Sequence, residues 1–173
     1  MSNQLALRVH AGALDEVLCD YRAHVHVWEA GGIHAHCGAS VAPVVPEEGK
    51  SFLCPDAVSA HTRLDHSLYH QPVTRLLSLE NTLNGQVASV AELSSTAHQA
   101  AELGLATHLD GARLWNASAA TGAEPREFAA PFDTVSVCLS KGLGGTPHCT
   151  KLASETEPWA GATLMFACLR SRA

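Results

Sequence analysis

The chain has 173 residues, 46% of them hydrophobic, and a formal net charge of −6. That length is enough for one domain with a real core, since a chain of about 150 residues hides roughly 70% of its unfolded surface. With no basic stripe to offset the acidity, nucleic acid is a poor main partner, and so is an anionic membrane surface. The longest apolar run, residues 160–169, is shorter than the roughly 20 residues a bilayer span needs. Six cysteines without a C-x-x-C pair read as reduced thiols, which fits the cytoplasm or the mitochondrial matrix.

Taken in order, short apolar strands alternate with amphipathic helices. Residues 1–9 read as helix interior, with Leu5, Ala6 and Val9 at helical spacing. A strand follows at 17–19, a helical turn at 24–28 stopped by Gly31-Gly32, and an extended segment at 39–45 ending at Pro46. After a polar loop at 47–50, residues 55–64 read as a helix with Pro at its first position, and 75–79 as a strand. The clearest helix is 90–103, capped by Ser89 with Glu92 three residues on and closed by Gly104. A strand at 105–109, a helix at 113–120 and a strand at 134–139 complete the pattern. This alternation predicts an α/β fold with a parallel sheet covered by helices on both faces. Residues 146–157 are polar without clear periodicity, and 158–169 are apolar but belong to no recognisable unit.

Two loops carry the chemistry. H-L-D-G-A-R, residues 108–113, and L-S-K-G-L-G, residues 139–144, each follow an apolar strand directly. In a parallel sheet all such loops lie along one rim, where ligands bind. Asp110 and Lys141 are 31 residues apart (141 − 110), about the length of one strand–helix–strand crossover, so they fit neighbouring positions on that rim. Pyridoxal-phosphate chemistry needs such a pair. An amine carries the cofactor aldehyde, and a carboxylate keeps the pyridine nitrogen protonated. The small residues Ser140, Gly142 and Gly144 would let a flat ring approach the backbone. The plain alternative is an aspartate capping the helix at Arg113 and a solvated lysine in a glycine turn.

Read with A-H-V-H-V-W-E-A-G-G (23–32), L-E-N-T-L-N-G (79–85) and S-N-Q-L-A-L (2–7), these motifs resemble the threonine aldolase family, collinearly from Met1 to about Gly144. The resemblance implies the three-layer large domain of pyridoxal-phosphate-dependent transferases, here incomplete. It implies Lys141 as the Schiff-base lysine and Asp110 on the pyridine nitrogen. Arg113 would lie near cofactor and substrate carboxylate, and His24 would stack on the ring and move a proton at the substrate hydroxyl. The reaction implied is retro-aldol cleavage of threonine or another β-hydroxy amino acid to glycine and an aldehyde, in a homo-oligomer. Residues 1–144 would be a partial cofactor domain and 145–173 a divergent tail. The family's phosphate-cradling turn would end where Met1 begins, and Leu83 stands where the family usually has histidine.

Two other readings compete. His24, His26, His34, His36 and Cys37 form two H-x-H pairs, and on a strand each pair would share a face and could chelate zinc or copper. His61, His66 and His70 add candidates. The spacing matches no common zinc module, and a metal site is not the expectation. The other reading is a non-catalytic chain able to pair with a longer homologue. Glu29 and Glu80 read as turn or helix-terminus residues, and 142–145 lacks the order of a nucleotide phosphate loop.

Overall fold

A computed structural model describes residues 1–64, 70–144 and 150–153. His66, Cys149, Cys168 and the apolar segment 158–169 lie outside the described residues. Six strands form one sheet in the order β2-β1-β3-β4-β5-β6. They are β1 (Asp15–Asp20), β2 (Ser40–Val44), β3 (Val73–Glu80), β4 (Ala106–Gly111), β5 (Thr134–Cys138) and β6 (Thr150–Ala153). The first five are mutually parallel, and β6 joins β5 antiparallel. The expected α/β architecture with a parallel sheet is therefore present. β6 falls in a stretch whose sequence shows no strand period, and neighbouring β5 supplies the pairing that its own pattern does not announce.

Side chains alternate across a strand, and the alternation sorts the core into two layers. On one face Leu18, Leu77, Leu79, Leu109, Val135 and Val137 pack with residues of α3 (Pro55–His61), α4 (Val90–Glu102), α5 (Leu114–Thr121) and α6 (Pro125–Ala129). On the other, Val17, Cys19 and Leu76 meet Leu7 of α1 (Ser2–His10), Val25 of α2 (His24–Val27), and Ile33 and Cys37 of a π-helical turn, Ile33–Cys37. That second face changes character toward β4 and β5, where Ser78, His108, Asp110, Thr134 and Ser136 are buried at alternate positions. α1 lies over this polar part and supplies Asn3 and Gln4, also buried.

The helix signals hold in detail. Ser89 Oγ accepts the Glu92 N–H at 3.2 Å while Glu92 Oε2 accepts the Ser89 N–H at 2.8 Å, closing the capping box of α4. Gly104 follows at φ 78°, the left-handed turn that ends a helix without the strain a Cβ would add. α3 stops at His61 rather than continuing to residue 64, because Thr62 is extended and spends its hydroxyl on the Val58 carbonyl. α6 has no apolar periodicity to reveal it; Pro125 in its first turn, a Glu124–Glu127 capping box and the single buried Phe128 hold it. Among the described residues no helix is long and apolar enough to cross a membrane.

Candidate active site on the carboxyl rim of the sheet

β3, β4 and β5 run side by side and end at the same rim. Glu80 closes β3 opposite Asp110 near the end of β4, and Asp110 stands opposite Ser136 of β5. Lys141 lies three residues beyond the end of β5, exposed, in the loop that leaves this rim. Asp110 and Lys141 thus flank one rim on adjacent parallel strands. Arg113 is the exposed N-cap residue of α5, three positions past Asp110. His24 opens α2 across the rim.

Asp110 is only 3% exposed. Its Oδ2 accepts from Asn3 Nδ2 at 2.6 Å and its Oδ1 from the Ala112 N–H at 3.0 Å. The second bond is a local turn contact, one residue short of Arg113, the N-cap of α5, which has no side-chain cap. The first is not, because Asn3 reaches in from 107 residues away. Burial pushes the Asp110 carboxyl above its usual range, against the pull of these two donors and of His24.

A second acid, Glu29, completes a tight group. His24, Glu29 and Asp110 each present a ligand atom within 4.8 Å of the other two. His24 Nδ1 is 2.9 Å from Glu29 Oε1, which also accepts from Asn3 Nδ2 at 2.8 Å, and Gln4 binds Glu29 Oε2. Burial would raise Glu29, but the hydrogen bonds from Gln4, Asn3 and His24 outweigh it and hold the carboxyl below its usual value. Glu80 behaves oppositely. Its Oε2 accepts the His24 backbone N–H at 2.7 Å, yet burial, with the charge of Asp110, pushes it up to about 7. The charge of Lys141 is close enough to pull Glu80 back in part.

Glycines shape the rim. Gly32 sits where a Cβ would fall 2.5 Å from the Gln4 side chain, and Gly142 where a Cβ would fall 2.5 Å from Asn116 Oδ1. The loop carrying Lys141 therefore lies against Asn116 of α5, and a larger residue at 142 would require that side chain to move.

Two readings of the sequence need correction. Glu29 and Glu80 are not merely turn residues; both point into this group. Asn3 was missed altogether. The signal for Glu80 was available, since it ends β3 as Asp110 ends β4. The H-x-H pairs also fail as chelates. His24 and His26 lie on a helix, where positions two apart face different ways, and exposed His34 and His36 lie in the π-helical turn. His61 ends α3, and its Nδ1 bonds the Ala57 carbonyl.

These residues suit pyridoxal phosphate. Among the described residues the hydrogen bonds to the Asp110 carboxylate come from neutral donors. A buried carboxylate so placed fits a cationic ring N–H. The hydroxyl of Ser136, its register partner, is buried without a hydrogen-bond partner among the described residues, so this part of the polar floor has unused capacity.

The sequence profile of the beta-eliminating lyases matches residues 1–147. The low-specificity L-threonine aldolases of Candida albicans and Saccharomyces cerevisiae are each 43% identical over 145 residues, 83% of this chain. The chain spans 39% and 37% of those relatives' length. Among solved structures, the threonine aldolase of Leishmania major superposes with a TM-score of 0.69 at 24% identity, over 79% of this chain and 40% of that one. An L-allo-threonine aldolase homologue from Listeria monocytogenes gives 0.60 at 26% identity, over 83% and 38%. Joined to the parallel sheet and its acidic rim, these matches identify the chain as a member of the beta-eliminating lyase family, the family of the threonine aldolases.

Proposed function

We propose that this chain carries the cofactor-binding rim of a pyridoxal-phosphate-dependent aldehyde-lyase that cleaves threonine or related β-hydroxy amino acids. The observation that carries the reading is the buried Asp110 carboxylate, bonded by neutral donors, on the same rim as the exposed amine of Lys141. When bound, pyridoxal phosphate supplies the electron sink that accepts the pair left when Cα–Cβ breaks.

Each residue then has a task. The Lys141 amine would hold the cofactor aldehyde. Asp110 would accept the ring N–H and keep that nitrogen protonated. His24 moves the β-hydroxyl proton, held in orientation by Glu29 at one ring nitrogen. Glu80 fixes the start of α2 through the His24 backbone, which sets where that imidazole stands. Arg113 offers a fork of donors to the substrate carboxylate. Residues 1–144 form the working unit of this reading, with β6 from the segment beyond it joining the same sheet, and a homo-oligomer of the kind the family resemblance implies as its assembly.

Purification with pyridoxal phosphate, an absorbance spectrum and a glycine-formation assay on threonine test it. The expected result is a visible band from the lysine-bound cofactor that Lys141→Ala abolishes. A folded protein that takes up no cofactor overturns the enzyme reading and leaves a non-catalytic member of the family.

A further inference from the structure

We propose that Asn3 is a positioning residue that aims Asp110 at the cofactor ring nitrogen, and that a buried histidine, His108, dictates which end of Asn3 does so. This rests on the rim being the cofactor site. It adds a part of the machinery that lies beneath the rim, on β4, β5 and α1.

The argument is one of donors and acceptors. Asn3 Nδ2 lies 2.8 Å from Glu29 Oε1 and 2.6 Å from Asp110 Oδ2. Two acids converge on one atom, and only an N–H₂ group can serve both. Asn3 Oδ1 then faces His108 Nε2 at 3.3 Å, and His108 Nδ1 faces Thr134 Oγ1 at 2.9 Å. His10 Nε2 lies 3.1 Å from the same Thr134 oxygen. His108 is fully buried, and burial lowers it to about 3, so the ring is neutral and carries one proton.

One assignment satisfies all of these side-chain contacts. His108 holds its proton on Nε2 and donates to Asn3 Oδ1. Its bare Nδ1 accepts the Thr134 hydroxyl, whose oxygen accepts from His10 Nε2–H. The opposite tautomer would need an N–H from Asn3, turning the amide so that Oδ1 met both carboxylates. That would set three acceptors against one another in a buried space. The chain from His10 to Asp110 therefore points one way, and each link strengthens the next.

The charged surroundings explain why Asp110 needs this support. Glu29 reaches it from the turn after α2 and Glu80 from β3, both acids. Lys141 beyond β5 supplies opposing positive charge through Glu80, and His24 on α2 faces the same acids. His108 on its own strand is neutral and adds none. Without Asn3, the Asp110 carboxylate keeps the Ala112 N–H as its remaining hydrogen bond.

Three measurements test the proposal on the whole chain. Long-range ¹H–¹⁵N NMR of histidine side chains, with no cofactor added, reads the His108 tautomer. ¹³C NMR of aspartate carboxyls follows Asp110 through a pH titration. Equilibrium dialysis gives the Kd for pyridoxal phosphate. The expected results are an Nε2–H tautomer unchanged from pH 5 to 8, and in Asn3→Ala an upward-moved Asp110 midpoint with a Kd about tenfold weaker, the loss of one charge-assisted hydrogen bond. Asn3→Ser, which keeps one donor, should recover part of both. An Nδ1–H tautomer overturns the proposal even if Asn3→Ala fails to fold. Normal cofactor uptake with Asp110 and Kd unmoved in a folded Asn3→Ala overturns the Asn3 assignment alone, whereas no uptake by the wild-type chain overturns the reading of the rim.

Discussion

On β4, Leu109 enters a layer of leucine, valine, alanine and phenylalanine, while its neighbours His108 and Asp110 enter a layer of asparagine, threonine and acid. All three are at most 3% exposed. The same strand thus buries two chemistries one residue apart, one through packing and one through matched hydrogen bonds. Packing tolerates similar shapes, whereas a polar layer tolerates only a set of partners in which every donor finds an acceptor. The difference shows where the fold spends stability on cohesion and where it spends it on holding a site.

The sharpest break of that contrast is a cavity. Leu109→Ala should cost about 3 to 5 kcal/mol, read by urea denaturation, because the close-packed layer relaxes only in part. On the other face His108→Leu keeps the bulk but leaves Asn3 Oδ1 without its donor. Its expected cost is smaller, about 1 to 3 kcal/mol at neutral pH, by the same measurement. If it proved neutral, the polar layer would be mere filling.

The pH dependence of melting resolves the polar face further. His108 stands near 3 when folded against an ordinary 6.5, so the unfolded chain takes up a proton that the folded one refuses. Its contribution is whole above pH 6.5 and drains away as pH falls from there to about 3. Glu80 stands near 7 against an ordinary 4.5, so its contribution is present below about pH 4.5 and lost as pH rises through 7. Tm should therefore fall less steeply as pH drops below 6.5 in His108→Gln, and less steeply as pH rises from 4.5 to 7 in Glu80→Gln.

At the small end, Ser89→Ala should cost about 1 kcal/mol by opening the cap of α4, read by thermal melting. Lys141→Ala, at an exposed position, should change stability by less than about 0.5 kcal/mol while cofactor uptake disappears. Stability and function would then dissociate at that one residue.

The sequence made the apolar layer legible because periodicity and caps are local. Leu93, Ala97 and Ala100 mark a helix face within eight residues, and Ser89 with Glu92 marks its start. Asp110 and Lys141 could be set on one rim because each lies at or shortly past the carboxyl end of an apolar strand. Asn3 and Glu29 could not be set beside them. Their partners lie 107 and 26 residues away, and nothing in a polar first turn or a glycine-flanked acid says where the chain will fold back. The H-x-H pairs, a rival reading, turn on the same point: a spacing that makes a chelate on a strand makes none on a helix.

β2 forms one edge of the sheet and carries Pro43 opposite Cys19. A proline in a sheet keeps its ring on the side turned from its neighbour and has no proton to offer an incoming strand. Templated sheet growth from that border meets a missing donor one residue before the strand ends, so the fold carries its own guard against aggregation there.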